Sequence, residues 1–118
     1  MSDALFVYGS LRSEFENRYA AELRSAADLV GRATVTGSIF RVGAYPGYRA
    51  EPAGVVLGEV WRLRDPERTL AMLDEYEGCG YRRMLTATSI PGVDAWIYAY
   101  AGEVEAAWRI EAGDFLVS

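Results

Sequence analysis

Apolar and polar positions along the chain alternate between short β-type stretches and two helical ones. Leu5, Phe6, Val7 and Tyr8 form an unbroken apolar run that meets Gly9-Ser10. That is the pattern of a buried strand entering a tight turn. Gly9 lets a ligand approach the main chain, and successive N–H groups in such a turn can form an anion-binding concavity. The same residues also fit an ordinary strand end. Residues 12–16 are a polar connection. Residues 17–30 are predicted helical, because Tyr19, Leu23, Ala26, Ala27 and Val30 recur at spacings of three and four, with Gly31 as the stop. Residues 32–42 alternate and carry β-branched side chains, so they are predicted to be a strand. Residues 43–48 combine Pro and Gly, which predicts a turn; Tyr45 and Tyr48 there are candidates for the wall of a cleft.

The stretch Val55–Leu63 reads as a further strand. Gly58 interrupts it, which suggests a bulge or a close backbone approach. Glu59, a lone carboxylate in a strand, is expected to face solvent. Asp65 and Pro66 open a second helix, the one as cap and the other at the first helical position, and Gly78 ends it. Residues 81–90 and 94–101 are predicted strands separated by a turn at Pro91-Gly92. In the last of them Trp96, Tyr98 and Tyr100 alternate with Ala95, Ile97 and Ala99, an aromatic row that suits core packing better than a binding wall. Residues 102–108 are a loop, and residues 110–115 close the chain with a turn at Gly113-Asp114. The pattern predicts an α+β fold, a small barrel flanked by helices, in a single domain over residues 1–118.

The second helix carries the main anomaly. Leu70, Leu73 and Glu77 lie at i, i+3 and i+7, so Glu77 occupies the face of two leucines while Asp74 and Glu75 point elsewhere. A buried carboxylate is costly unless paired or hydrogen-bonded, and desolvation raises its pKa. The negative end of the helix dipole pushes the same way. Both suit a general acid or base near neutral pH; the same periodicity also fits a helix that frays early and leaves Glu77 exposed.

Composition narrows the chemistry. All 12 basic residues are Arg, and the chain has no His. Ser-His-Asp and Cys-His catalysis, His-based zinc sites, a phosphate-loop lysine and Schiff-base chemistry are thereby excluded. The net charge of −5 and the lack of a basic cluster argue against a nucleic-acid partner. No apolar run approaches the roughly 20 residues of a membrane helix, and the N-terminus lacks the pattern of a signal peptide, so a cytoplasmic location is expected. The single cysteine, Cys79, excludes an internal disulfide and has no His or Lys to activate it. No tight acidic cluster suggests a metal.

With these residues in order, the chain resembles the gamma-glutamylcyclotransferase-like proteins, including the AIG2-like and gamma-glutamylamine cyclotransferase branches. The resemblance runs from Phe6 to Phe115. It rests on Tyr8-Gly9-Ser10-Leu11, Tyr45-Pro46-Gly47, Gly58-Glu59-Val60-Trp61, Leu73-Asp74-Glu75-Tyr76-Glu77-Gly78, Tyr81 with Arg83, Trp96-Ile97-Tyr98-Ala99-Tyr100 and Gly113-Asp114-Phe115. Phe115 stands where the family pattern leads one to expect Trp. The resemblance implies a mixed β-barrel with a cavity, a substrate site lined by Tyr8, Gly9, Ser10 and Leu11, and Glu77 as the catalytic carboxylate. Tyr45, Tyr81 and Tyr100, tyrosines of the same motifs, complete the candidate substrate-binding set. The implied reaction turns a γ-glutamyl compound into 5-oxoproline and a free amine, with no metal or cofactor. The leaving amine stays open: an amino acid, a lysine side chain and a polyamine all fit. The alternative reading is a non-catalytic domain of the same fold that binds a γ-glutamyl or amino-acid ligand; a third is a scaffold that dimerises through exposed aromatics.

Overall fold

The computed structural model describes residues 2–9, 18–78 and 80–115. Among the described residues, seven strands and two helices are arranged around β1 (Ala4–Val7), in the chain order β1, α1 (Arg18–Ala26), β2 (Ala27–Thr36), β3 (Ser38–Val42), β4 (Tyr45–Arg49), β5 (Val55–Leu63), α2 (Pro66–Glu77), β6 (Tyr81–Ala87) and β7 (Asp94–Tyr100). A short 3-10 turn, Ala106–Trp108, follows. The strands form one curled mixed sheet in the order β2-β5-β1-β7-β4-β3, with β6 on β7. β1 runs antiparallel to β5 and parallel to β7.

The unbroken apolar run of β1 follows from its place in this sheet. Phe6 and Tyr8 point into the barrel, where they pack with Ile39, Tyr48, Val60 and Ile97. Leu5 and Val7 point outward, where Leu23 of α1 and Leu70 and Leu73 of α2 cover them. A strand covered on both faces cannot alternate. The middle of β5, residues 58–61, flanked by β1 and β2, is covered in the same way, which corrects the expectation for Glu59: it is 2% exposed and accepts a hydrogen bond from Trp61 Nε1 at 3.3 Å. Gly58 marks the close approach the sequence suggested, since a Cβ there would run into Val7 O and the Phe6 ring.

Four boundaries differ from expectation. The first helix ends at Ala26, and Ala27 to Val30 belong to β2, with Asp28 and Leu29 registered on Arg62 and Trp61 of β5. Arg64 closes the helix instead of Gly31. Its guanidinium donates to Ser25 O (2.9 Å) and Asp28 Oδ1 (2.6 Å), and its N–H to Ala26 O (3.2 Å). Gly31 lies at a register shift within β2. The strand predicted over 32–42 is two strands, β2 and β3, broken at Gly37. The turn predicted over 43–48 shrinks to Gly43-Ala44, and Tyr45 to Arg49 form β4 against β3. Pro46 is tolerated there because it precedes the one registered contact of β4 with β7, Tyr48 on Ala99, so its missing N–H breaks no ladder on that side. β6 also stops at Ala87, short of residue 90. The second helix matches its prediction: Asp65 accepts from Arg68 N at 3.3 Å, Pro66 opens it and Gly78 closes it at φ 76°. Among the described residues, no helix is long and apolar enough to cross a membrane.

Candidate active site

The C-terminal ends of β1 and α2 meet the first residues of β4 and β6, and a cavity of about 230 Å³ opens between them. β1 contributes Phe6 and Val7, followed by Tyr8 and Gly9; β4 contributes Tyr45 and Pro46; α2 contributes Tyr76 and Glu77; Tyr81 and Tyr98 come from β6 and β7. The periodicity of α2 explains how a carboxylate reaches this place. Leu70 and Leu73 pin one helical face to the sheet, at 1% and 0% exposure, and Glu77 follows on that face one turn later. Burial raises the Glu77 carboxyl pKa to about 7.

The tyrosines around Glu77 are held by the main chain. Tyr8 Oη donates to Tyr98 O at 2.5 Å and accepts from Tyr48 N at 3.0 Å. Tyr81 Oη donates to Pro46 O at 3.0 Å. Tyr98 Oη donates to Asp74 Oδ1 at 2.5 Å, and Arg83 Nε stands 3.2 Å from the same oxygen. Burial is the largest cause that raises the pKa of each of these phenols, carrying Tyr81 to about 12, and the nearby Glu77 charge adds to it. All three therefore stay neutral in the physiological range. Tyr76 stacks on Tyr19 of α1 with ring centroids 4.1 Å apart, which ties the helix bearing Glu77 to its neighbour.

Of the predicted site residues, Tyr8, Gly9, Tyr45, Tyr81 and Glu77 line the cavity together. Tyr100 does not. It stands behind Tyr81, edge-on at 5.4 Å, with Gly47 against its Cβ. Ser10 and Leu11 lie outside the described residues, as do residues 12–16 and Cys79. Tyr48 is buried in the barrel core, with its hydroxyl on Thr36 O. Sequence reasoning missed Phe6, Val7, Pro46, Tyr76 and Tyr98. The aromatic row of β7 splits: Trp96 stacks under Arg83 at 4.8 Å, Tyr98 reaches the cavity and Tyr100 backs it. The signal for Tyr98 was present in its alternation with Ala95 and Ile97, which fill the barrel and leave Tyr98 facing α2. Asp74, expected to point elsewhere, holds Tyr98 and Arg83 at the edge of the site. Among the described residues no three acidic or thiol side chains converge as a metal site.

Comparison with known proteins places this geometry. The family model described as gamma-glutamyl cyclotransferase, AIG2-like, matches residues 5–117. The chain belongs to this family. Among solved structures it is similar to ytfP of Escherichia coli, at 34% identity and a TM-score of 0.73, with 96% of each chain covered. An AIG2-like protein of Mus musculus shares the fold at 24% identity and a TM-score of 0.73, covering 90% of this chain and 81% of the other. An uncharacterized protein of Pyrococcus horikoshii does so at 23% identity and 0.76, covering 97% and 90%. No curated protein sequence matches the chain significantly. In this family member Phe115, in place of the expected Trp, packs against the barrel core with the Arg41 guanidinium 5.4 Å from its ring, so an aromatic role is kept there.

Proposed function

We propose that the protein is a γ-glutamylcyclotransferase that converts a γ-glutamyl amine or γ-glutamyl amino acid into 5-oxoproline and a free amine, with Glu77 as base and then acid. The observation that carries this reading is the Glu77 carboxyl, lifted to about 7 by burial in a cavity it shares with the main chain at Gly9. Family membership supports the reaction class.

The chemistry asks little of the protein. The Glu77 carboxylate takes a proton from the substrate α-ammonium. The freed amine attacks the γ-carbonyl carbon of the same molecule, a new C–N bond closes the five-membered ring, and the carbonyl oxygen becomes an oxyanion. Tethering makes the attack unimolecular, which removes much of the entropic barrier. The main chain at Gly9, which lines the cavity, offers a donor for the oxyanion or the substrate carboxylate. Glu77 gives that proton to the departing nitrogen, takes the second proton from the positively charged ring nitrogen as the oxyanion collapses and the bond to the leaving amine breaks, and passes it to the released amine, which leaves as an ammonium. The carboxyl ends as it began, and no external acid, base or oxidant is consumed. A pKa near 7 suits both halves of this shuttle, since the group must take and return a proton at one pH.

Incubation with a panel of γ-glutamyl amines and γ-glutamyl amino acids, with 5-oxoproline followed by chromatography, tests the proposal. Release of 5-oxoproline with one equivalent of amine supports it. Binding without turnover across the panel would overturn it in favour of a ligand-binding domain. Turnover should survive dialysis against a chelator; a loss that magnesium restores would contradict the carboxylate mechanism.

A further inference from the structure

Asp74 stands one helical turn before Glu77, and its carboxylate is where α2, β6 and β7 meet. Tyr98 donates its hydroxyl to Asp74 Oδ1 at 2.5 Å. Arg83 donates Nη2 to Asp74 Oδ2 at 3.2 Å, and its Nε stands 3.2 Å from Oδ1. The guanidinium also lies over the Trp96 ring, 4.8 Å from the centroid. This clamp is not saturated. Arg83 Nε is buried and makes no hydrogen bond to any described residue, so its contact with Oδ1 is one of charge alone. A guanidinium is a rigid fork of donors that suits a carboxylate, and this one has a donor to spare.

A second carboxylate is within reach. Positions i and i+3 of a helix carry Cβ atoms about 5–6 Å apart, so a guanidinium held at Asp74 is close to the place of Glu77. Tyr81 and Tyr98 form the partition. Each lines the Glu77 cavity and also a surface groove that contains Asp74, Arg83 and Trp96. The Tyr98 phenol feels the charges of both Arg83 and Glu77. The other polar side chains facing Glu77 are tyrosines: Tyr8 after β1, Tyr45 of β4 and Tyr76 of α2. From α1, Tyr19 reaches Tyr76, while Glu22 and Arg24 do not line the cavity. Arg82 is exposed in the groove. The described residues that line the cavity include no cation. A cation brought against the Glu77 carboxylate would favour its charged form and weaken it as a base.

We propose that Asp74 is a positioning residue that keeps Arg83 and the Tyr98 hydroxyl off Glu77, so that the neighbouring carboxylate stays a strong enough base for the substrate ammonium. The inference rests on the reading of Glu77 as the proton carrier.

Asp74→Asn removes the charge that holds Arg83 and keeps an acceptor for Tyr98. The Asp74 side chain is 44% exposed, so the fold should tolerate the change; Asp74→Ala, a good helix former, takes its place if the amide does not fold. The Glu77 carboxyl carbon is followed by carbon-13 NMR in the labelled chain and identified by its loss in Glu77→Gln. It should titrate near 7 in the wild type. In Asp74→Asn it should titrate about 1–3 pH units lower, the effect of an opposite charge at contact range. In Asp74→Asn/Arg83→Met it should return to near 7, because Met keeps an apolar stem over Trp96 without the charge. The acid limb of kcat/KM should move down in the single variant and return in the double one. A clamp that is only structural would lower kcat at every pH and leave that limb in place, which would overturn the proposal. A Glu77 carboxyl that still titrates near 7 in Asp74→Asn would also overturn it, as would a low value that persists in the double variant. If the wild type turns over no γ-glutamyl compound, the cyclotransferase reading fails, and the carbon titration alone decides the role of Asp74 by the same criteria.

Discussion

At the scale of the residue, Glu77 and its acidic neighbours separate cleanly. Glu75 is exposed and absent from the cavity lining, Asp74 holds Tyr98 and Arg83, and Glu77 alone of the three lines the cavity. Glu77→Gln keeps size and hydrogen bonding but carries no proton, so kcat should fall by roughly 10²–10⁴, with a smaller change in KM. Glu75→Gln should leave both within about twofold, because surface charges contribute only about 0–1 kcal/mol. Equal losses in the two variants would assign the chemistry to the wrong carboxylate. Stability has its own sign. Below about pH 4.5 Glu77 is protonated whether the chain is folded or not; between there and about 7 the unfolded chain releases the proton first. Wild-type stability therefore loses the Glu77 contribution as pH rises through that window. Gln does not titrate, so the melting temperature of Glu77→Gln relative to wild type should climb from pH 4 to pH 8. In the wild type, kcat/KM should rise with pH and level off above about 7, where the base is free. Gly9 makes the second test at this scale. A Cβ there would sit 3.0 Å from Pro46 Cγ at the cavity wall. Gly9→Val should fold yet raise KM sharply or abolish turnover; a variant with wild-type constants would remove the main chain at Gly9 from the site.

At the scale of the element, what the sequence revealed depended on how local the cause was. α2 was legible at both ends because its signals lie within four residues of each end: Asp65 and Pro66 at the start, Gly78 at the stop. β5 was legible because its run is long and apolar. The end of α1 was not, because Arg64 sets it from 38 residues beyond Ala26, and because Ala27 to Val30 gain a ladder with β5 that no local pattern announces. β4 was hidden under Pro46 and Gly47, which signal a turn unless a neighbouring strand is known. The site followed the same rule: Glu77 and the strand-to-turn of Tyr8-Gly9 could be read locally, whereas Tyr76 and Tyr98 join the cavity through the packing of α2 on the sheet. The helix stop offers a test. Gly78 adopts φ 76° and ψ −172°, a region essentially closed to residues with a Cβ that costs them about 1–3 kcal/mol, although a Cβ there would meet open space. Gly78→Ala should thus lower stability by about that amount through backbone strain and shift the end of α2 that carries Glu77. A denaturant midpoint equal to wild type, with kcat also unchanged, would mean that the cap does not position the carboxylate.

At the scale of the whole molecule, β1 and β7 each serve two cores. Phe6 and Ile97 belong to the barrel interior, Leu5 and Tyr98 to the layer beneath the helices. The cavity opens where the two layers come together, so Glu77 is held by outer-layer leucines while the tyrosine opposite it, Tyr8, is anchored in the barrel by Tyr48 N. Such sharing predicts one cooperative unfolding transition, since neither layer keeps a complete wall without the common strands. Leu73→Ala empties space in the outer layer directly below Glu77 and should cost about 2–5 kcal/mol; Ile97→Val trims the barrel and should cost about 0.5–1.5 kcal/mol. Both variants should move far-UV and near-UV circular dichroism transitions together in urea. Their catalytic effects should differ. Leu73→Ala loosens the support of the carboxylate and should lower kcat well before unfolding, while Ile97→Val, remote from Glu77 on the opposite face of β7 from Tyr98, should leave kcat within about twofold once measured below its own midpoint. Separate transitions for the two probes in Leu73→Ala would show that the layers fold independently, and that the cavity between them is assembled by docking instead of being built into one sheet.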